Sequence, residues 1–432
     1  MNPLAQQLNQ ELQAANPYIY DMLSDLGKSL YFPKGILTQS AEARQKAHRF
    51  NATIGIATEE DEPLYLPVIQ ETLTAYKPQD IYTYAPPAGK AELRKAWRAK
   101  MLQENPSLQG KNFSNPIVTN ALTHGLSIVA DMFIEENDAL ILPDKIWGNY
   151  NLIFGVRRGA KTVTYPFFTD QGKFNAKGMK EALLSQKEQG KALLLLNFPN
   201  NPTGYTPTEA EAAEIVLAVK EAADQGVNVV AVTDDAYFGL FYEDSITESL
   251  FGRLAGIHPR VLAVKVDGAT KEEYVWGFRV GFITFAAGTA VLNALENKAL
   301  GLIRGVISSV THPSQTFILH ALQAPEFAAQ KRAKYEVLKR RAVKVKEVLD
   351  SGKYNDVWEY YPFNSGYFMC LKLKRVHAEK LRLHLLEHYG VGVISLGEKD
   401  VRIAFSCVEE RDLAELFELI HRGVKDLEAK GV

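Results

Sequence analysis

Gly268-Ala-Thr-Lys271-Glu-Glu-Tyr-Val-Trp-Gly-Phe-Arg279-Val-Gly281 follows an apolar run, Arg260-Val-Leu-Ala-Val-Lys-Val266, whose branched residues predict a buried strand. The strand leads to a lysine and, eight positions later, to an arginine. Taken alone, a lysine beside Glu272 and Glu273 is more typical of a solvated surface than of a reactive site. Its interpretation therefore depends on what the other predicted strands carry at their ends.

Two further polar motifs each follow an apolar run of their own. Asn201-Pro-Thr-Gly204 is by itself a turn signal, and Asp234-Asp-Ala-Tyr237 begins with an aspartate that could equally cap a helix. Together the motifs place lysine, arginine, aspartate, tyrosine and asparagine at successive strand ends. This set suits pyridoxal 5′-phosphate (PLP), which needs an amine for a Schiff base and partners for its phosphate and ring nitrogen.

From about residue 115 the chain alternates apolar runs with helical patterns. The predicted strands are 115–120, 138–143, 161–167, 192–198, 228–234, 260–267 and 279–286. Continuous rather than alternating apolarity indicates a mostly parallel, doubly wound α/β sheet covered on both faces. After about residue 314, a charge-rich helical pattern over Lys331–Leu349 and shorter strand-like runs predict a second, smaller α+β domain.

The N-terminal residues 3–27 form a separate pattern. Apolar residues recur there with a helical period, at Leu4, Leu8, Leu12, Ile19, Met22 and Leu23. This spacing predicts an N-terminal helix or arm.

The motifs and their order resemble the class I aminotransferases of PLP fold type I, over nearly the whole chain. The resemblance implies a large domain with a mostly parallel, seven-stranded sheet that has one antiparallel member, and a smaller, discontinuous α+β domain. We expect the N-terminal arm and first part of the small domain in 1–58, the large PLP-binding domain in 59–325 and the small C-terminal domain in 326–432. The implied activity is ping-pong amino transfer, through a lysine Schiff base, from an L-amino acid (aspartate, glutamate or an aromatic one) to a 2-oxo acid.

Three residues, Lys271, Asp234 and Tyr237, are the catalytic candidates, and Asn201 is expected to bind the cofactor beside them. Lys271 is the amine for the Schiff base and then the group that moves the substrate's α-proton. Asp234, which the family pattern Asp-x-Ala-Tyr selects over Asp235, is expected to keep the ring nitrogen protonated. Tyr237 and Asn201 are expected to donate hydrogen bonds to the phenolic oxygen of the cofactor.

The phosphate is expected to lie between an arginine and a helix start. Arg279 suits bidentate contact with it. The other contacts are expected from Ala121, Leu122 and Thr123, in a turn that leads into a helix whose N–H groups face the dianion. Leu122 departs from the small residues that the family favours, and Gly268 stands where many relatives carry a phosphate-binding serine.

Two aromatic residues complete the expected cofactor site. Trp147, in Trp147-Gly-Asn-Tyr150, resembles the family's aromatic segment that stacks on the pyridine ring. Tyr84, in Tyr82-Thr-Tyr-Ala-Pro-Pro-Ala-Gly89, matches the tyrosine that reaches the phosphate across a dimer interface. The resemblance therefore implies a homodimer with shared active sites.

The expected substrate contacts come from both ends of the chain. Arg402 matches the arginine that holds the α-carboxylate, and Ala57 is expected near the same group, with Trp147 and Asn201 also in contact with substrate. Arg304 falls where dicarboxylate-specific relatives supply a second arginine from the neighbouring subunit. A surface arginine at a helix end is an equally compatible interpretation of Arg304.

The composition and short motifs of the chain argue against several other classes of protein. A formal net charge of −2 offers no basic field for nucleic acid, and no apolar run reaches the roughly 18 residues that a membrane span requires. Two cysteines without metal spacing and an N-terminus without a secretory pattern predict a cytoplasmic protein. His384-Leu-Leu-Glu387-His388 spells a zinc motif, but without further ligands we expect no metal site.

Two alternative functions remain open. Another fold type I PLP enzyme, such as a C–S β-lyase or a decarboxylase, shares the cofactor-binding residues. A non-catalytic PLP-binding protein could also keep the motifs. Ammonia and pyruvate from a cysteine conjugate would indicate elimination, whereas amino-group transfer indicates transamination.

Overall fold

The structure is a computed structural model that describes residues 1–16, 20–21, 23, 25–30, 35–60 and 62–431. Its first helices are α1 (Pro3–Ala15), α2 (Asp25–Ser29), α3 (Ile36–Lys46), α4 (Pro67–Gln70), α5 (Pro78–Ile81), α6 (Ala91–Glu104), α7 (Ala121–Phe133) and α8 (Ala176–Leu184). There follow α9 (Glu209–Asp224), α10 (Leu250–Leu254), α11 (Ala269–Glu272), α12 (Thr289–Val306), α13 (His312–Gln323), α14 (Phe327–Asp350), α15 (Ala378–His384) and α16 (Leu413–Ala429). Short 3₁₀ or π turns span Pro106–Leu108, Asn151–Val156, Trp276–Phe278, Leu385–Tyr389, Phe405–Cys407 and Glu410–Asp412.

The strands fall into one large sheet and several smaller ones. They are β1 (Phe50–Asn51), β2 (Thr58–Glu59), β3 (Glu62–Pro63), β4 (Ile117–Asn120), β5 (Ala139–Pro143), β6 (Lys161–Tyr165), β7 (Lys191–Asn197) and β8 (Asn228–Asp234). The remainder are β9 (Val261–Asp267), β10 (Val280–Ala286), β11 (Trp358–Tyr360), β12 (Phe368–Leu373), β13 (Val391–Gly392), β14 (Ile394–Leu396) and β15 (Asp400–Ala404).

The large sheet has seven strands in the order β4-β10-β9-β8-β7-β5-β6. Strand β10 pairs antiparallel with both β4 and β9, whereas the pairs among β5 to β9 are parallel. All residues of β5 and β10 are buried, because helices cover both faces of the sheet. The predicted α/β fold, its seven-stranded sheet and the single antiparallel member are confirmed.

A separate, smaller domain contains the antiparallel sheet β11-β12-β15-β14, and its helices α14 and α16 pack against each other. Strand β1 pairs in parallel with β13, so residues near the N-terminus join this C-terminal part. The domain boundaries at residues 58 and 325 remain predictions.

Within the described residues, the N-terminal pattern includes the helices α1 and α2. Ile19 and Met22, which contributed to the predicted helix, lie outside the described residues. Among the helices that are described, none combines the length and apolarity needed to cross a bilayer.

The topology brings the motifs to one edge of the sheet. Strands β5, β7, β8 and β9 run in the same direction, so their carboxyl ends meet at this edge, and the antiparallel β10 starts there. Loops at the carboxyl ends of parallel strands are where open α/β sheets bind ligands.

Candidate active site

A cavity of about 250 Å³ lies at this edge of the sheet. Most of the predicted site residues line it, namely Ala121, Leu122, Thr123, Trp147, Asn201, Asp234, Tyr237, Lys271, Arg279 and Arg402. They come from six strand ends of the large sheet and from β15 of the small domain. Both domains therefore contribute to the cavity.

Lys271 lies in the one-turn helix α11, directly after β9. Its Nζ is 4.9 Å from the centre of the Tyr237 ring. Burial lowers the pKa of the Lys271 ammonium to about 8, against the attraction of Asp234 and with a contribution from the positive charge of Arg279. About a tenth of this lysine is thus a neutral amine at pH 7 and about half at pH 8, which is the form that a nucleophile or base requires.

The glycine three residues before Lys271 is required by close packing. A Cβ on Gly268 would lie 2.6 Å from the carbonyl oxygen of Val280, 2.7 Å from the Cα of Gly281 and 3.1 Å from the Leu122 side chain. A serine would therefore not fit here without a backbone shift. The two departures from the family pattern, Gly268 and Leu122, are neighbours, and the leucine side chain lies against the glycine.

Asp234 is the last residue of β8 and is buried. The Tyr150 hydroxyl donates a 2.6 Å hydrogen bond to its Oδ2, and the Ala236 N–H donates to Oδ1 at 3.2 Å. Burial raises the pKa of Asp234 to about 6, although the Tyr150 hydrogen bond and the charge of Lys271 oppose this. Asp235 is not among the cavity residues, because its side chain pairs with Lys265 instead.

The Asn201 turn is fixed by an asparagine on the preceding strand. Asn197 donates its side-chain N–H to the carbonyl of Asp234 (2.9 Å), and its Oδ1 accepts from the Asn201 backbone N–H (2.9 Å). Arg402 donates to the Asn201 Oδ1 at 3.0 Å. The amide nitrogen of Asn201 is therefore the part of this side chain that can donate to a ligand.

Arg402 is a buried cation in the middle of β15 and is 1% exposed. Its Nη2 donates to the carbonyl of Thr53 at 2.9 Å, and its guanidinium lies 4.2 Å from the Phe368 ring centre. Within the described part of the chain, its Nε has no hydrogen-bond partner and no carboxylate forms an ion pair with it. A buried guanidinium without a counter-ion calls for an anionic ligand.

A corner of the cavity is suited to a phosphate. Ala121 and Arg279 both have left-handed backbone conformations (φ 61° and 55°), and the Ala121 N–H donates to the Arg279 carbonyl at 2.9 Å. This link joins the arginine to the first residue of the thirteen-residue helix α7. The positive end of α7 and a guanidinium therefore meet at the cavity, an arrangement that favours a dianion.

Sequence reasoning did not assign roles to Gly55, Tyr150, Asn197, Thr270 and Phe368, which also line the cavity. Tyr150 follows Trp147 by three residues, and their rings meet edge to face at 5.4 Å. The position of Asn197 at a strand end, four residues before Asn201, was an available signal for its role. No local pattern marks Phe368, since its neighbours in the cavity are remote in sequence.

Three predicted residues lie outside the cavity. Tyr84 is 92% exposed, and Arg304 is an exposed residue of α12 whose Nη1 donates to the Ser308 Oγ at 2.6 Å. Ala57 is buried, and Gly55 rather than Ala57 reaches the cavity wall. The roles predicted for Tyr84 and Arg304 require a second subunit and remain predictions.

The zinc-like motif has an ordinary structural explanation. His384 is buried and its Nε2 lies 2.9 Å from Asp426, while Tyr389 donates to the same carboxylate at 2.7 Å. Across the described ranges, no group of three or more His, Cys, Asp or Glu side chains is arranged to hold a metal ion.

Comparison with known proteins identifies the family. The family model described as "Aminotransferase class I and II" matches residues 56–420. The chain belongs to this family. It is 26% identical over 414 residues to the "Probable aspartate/prephenate aminotransferase" of Aquifex aeolicus, with 92% of this chain and 96% of that protein covered.

Two other relatives extend the comparison of this aminotransferase. The "Probable N-acetyl-LL-diaminopimelate aminotransferase" of Bacillus subtilis is 24% identical, with 80% of this chain and 84% of that protein covered. The crystal structure of an aminotransferase from Anaerococcus prevotii superposes with a TM-score of 0.82 at 22% identity, covering 93% of this chain and 98% of that one. The superposition supports the fold type I architecture.

Aminotransferases of this family depend on PLP, which supplies an electron sink for the negative charge left at the substrate's Cα when its proton is removed. The cavity residues fit this cofactor. Lys271 is an amine of lowered pKa, Asp234 is a buried carboxylate, and Arg279 and the start of α7 provide positive charge for the phosphate. Among the residues that the structure describes, the Nε of Arg402 has no hydrogen-bond partner, so it can donate to an anion in the same cavity.

Proposed function

We propose that this aminotransferase transfers the amino group of an L-amino acid to a 2-oxo acid in two half-reactions, with aspartate, glutamate or an aromatic amino acid as donor. The observation that carries the proposal is that residues far apart in the chain line one cavity. They are Lys271, Asp234, Asn201, Arg279 and Arg402. The name of the Aquifex aeolicus relative, which includes aspartate, supports the dicarboxylic choice.

Lys271 is proposed to hold the cofactor and to move the substrate's α-proton. A base works best when its pKa is near the operating pH, and burial brings the pKa of Lys271 to about 8. Asp234 is proposed to hold a proton on the cofactor's ring nitrogen. Its own 2.6 Å hydrogen bond from Tyr150 favours the ionised form that this role needs.

Arg402 is proposed to bind the α-carboxylate of the substrate. Its planar guanidinium matches a carboxylate, and Asn201 and the Thr53 carbonyl fix its orientation. Tyr237, which is buried with its ring beside the Lys271 Nζ, is proposed to donate a hydrogen bond to the cofactor together with Asn201. Trp147 is proposed to stack on the cofactor ring.

We propose that the enzyme is a homodimer whose active sites are shared. Tyr82 and Tyr84 are 81% and 92% exposed in the single chain, which is costly for two large aromatic side chains in one loop. Burial against a second copy would place Tyr84 where its predicted phosphate contact requires it. Arg304, also exposed, would then face the neighbouring cavity and select a second carboxylate on the substrate.

A cytoplasmic location is also part of the proposal. Cys370 and Cys407 are both free thiols, and Cys370 is buried. Unpaired cysteines are common where the compartment is reducing.

A half-reaction experiment tests the proposal. Purified enzyme and its Lys271→Ala variant are mixed in turn with aspartate, glutamate, phenylalanine and alanine, and the cofactor absorbance is recorded. We expect the band of the lysine-bound cofactor to give way to that of its amine form in the wild type only, with release of the matching 2-oxo acid. Release of ammonia and pyruvate from a cysteine conjugate, without amino transfer, would instead establish a β-lyase.

A further inference from the structure

Two buried glutamates follow directly after Lys271. Glu272 and Glu273 are 2% and 1% exposed, although the sequence pattern is typical of a solvated surface. Burial of two adjacent carboxylates is unfavourable unless cations and hydrogen bonds compensate them. The cations that do so here come from distant parts of the chain.

Lys100 and Lys331 supply the compensating charges. Lys100, on α6, pairs with Glu272, lies 3.8 Å from Glu273 and also binds Glu104 at 2.7 Å. Lys331, on α14, lies 3.1 Å from Glu272 and 3.0 Å from Glu273. We call these five residues the lysine-anchor cluster; it joins a large-domain helix, the Lys271 segment and the long helix of the small domain.

The backbone that carries Lys271 has little stability of its own. Helix α11 is four residues long, and Tyr274, just beyond it, has a left-handed backbone with φ 57°. A single helical turn is unfavourable in isolation. Lys271 lines the cavity, and the side chains of the next two residues, Glu272 and Glu273, are bound in the cluster. Because the three residues are adjacent in the chain, holding the two glutamates also holds the backbone of Lys271.

We propose that Glu272 and Glu273, held by Lys100 and Lys331, are positioning residues that fix Lys271 in the active site. Through Lys331, this position depends on how α14 is seated against the large domain. The inference rests on the proposed role of Lys271 as the reactive lysine. It gives the small domain a further link to the reaction, separate from the proposed substrate contact of Arg402 and from the 3.1 Å hydrogen bond that the Tyr367 hydroxyl donates to the Lys271 carbonyl.

Glu272 and Glu273 differ in how closely the two lysines hold them. Lys100 is hydrogen-bonded to Glu272 but lies 3.8 Å from Glu273, whereas Lys331 lies 3.1 Å from Glu272 and 3.0 Å from Glu273. Glu272 is therefore the more strongly bound anion. Glu272→Gln should disturb the site more than Glu273→Gln does.

The first test compares two lysine variants of the holoenzyme. Lys331→Met removes the link from α14 to the cluster, and Lys346→Met is the matched control, because Lys346 is on the same helix and pairs with Glu243 of the large domain at 2.6 Å. We expect Lys331→Met to lower kcat about 10- to 100-fold, as misplacement of a reacting group does. It should also shift the pH midpoint of the lysine-bound cofactor's absorbance by about half a unit or more, whereas Lys346→Met changes neither and Lys331→Arg recovers both.

A charge-balanced variant separates positioning from stability. In Lys331→Met with Glu273→Gln, one cation and one carboxylate are removed together, so the thermal midpoint should recover relative to Lys331→Met alone. We expect kcat and the absorbance midpoint to stay altered, since the link to α14 is still missing. Full recovery of both along with the thermal midpoint would overturn the positioning role.

Borohydride reduction of the wild type, followed by peptide mass spectrometry, locates the lysine that binds PLP. Attachment elsewhere than Lys271 would refute the proposed function itself. Attachment at Lys271, with Lys331→Met indistinguishable from Lys346→Met, would refute only the inference about the lysine-anchor cluster.

Discussion

Asp234→Asn should stabilise the cofactor-free protein, because burial disfavours the ionised carboxylate of Asp234. The pKa of Asp234 is about 6 in the folded chain, against 3.8 for an ordinary aspartate. The difference of 2.2 units corresponds to about 3 kcal/mol of folding free energy. Asparagine has the same shape: its Oδ1 can accept from the Ala236 N–H, and its NH2 can donate to the Tyr150 oxygen in place of the bond that Asp234 accepts from it, so the variant should lose this penalty and little else.

The effect has a definite pH dependence. Since the folded pKa lies above the unfolded one, the native state holds the proton more tightly, and the aspartate's contribution is most favourable below pH 4. The contribution of Asp234 to the free energy of unfolding falls as the pH rises toward 6 and stays low above pH 6. The stability gap between variant and wild type should therefore be about 3 kcal/mol at pH 8 and about half of that at pH 5.

Urea unfolding of both cofactor-free proteins, followed by tryptophan fluorescence at several pH values, measures this gap. Asp224→Asn is the control, since Asp224 is an exposed aspartate whose pKa is lowered by a hydrogen bond from Lys220. It should give no gain at any pH. A variant at position 234 that is no more stable than wild type at pH 8, or a gap that does not change with pH, would refute the reasoning.

Three further predictions concern the same cavity. Tyr150→Phe removes the hydrogen bond to Asp234, so the acid limb of the kcat/KM profile should move up by about 1 to 2 pH units; an unmoved limb would contradict this. Gly281→Ala places a Cβ 2.6 Å from the backbone of the α7 turn and should weaken PLP binding at least about tenfold in a fluorescence titration, whereas Gly277→Ala, with open space around it, should not. Arg304→Ala should raise the KM for aspartate and glutamate about tenfold or more and leave that for phenylalanine nearly unchanged; equal effects on all three would exclude selection of a second carboxylate.

The strands of the large sheet were predictable from the sequence because helices cover both faces of the sheet. A strand buried on both faces is a continuous apolar run, which is easy to recognise. Continuous apolar runs mark β7 and β8 to within a residue of their observed bounds, and polar residues directly after such runs lie at the binding edge. The burial of Glu272 was not predictable in this way. Its partners, Lys100 and Lys331, lie 172 and 59 residues away in the chain, so nothing local distinguishes it from a surface residue.

The order of the site residues along the chain has a consequence for synthesis. Every cavity residue from Ala121 to Arg279 belongs to the first two thirds of the chain, whereas Arg402 lies near its end and reaches back to Thr53. During translation, domains fold as units from the N-terminus onward. A nascent chain therefore has the residues proposed to bind the cofactor well before Arg402, which is proposed to hold the substrate's α-carboxylate. On this proposal, amino-acid turnover must wait until β15 is made.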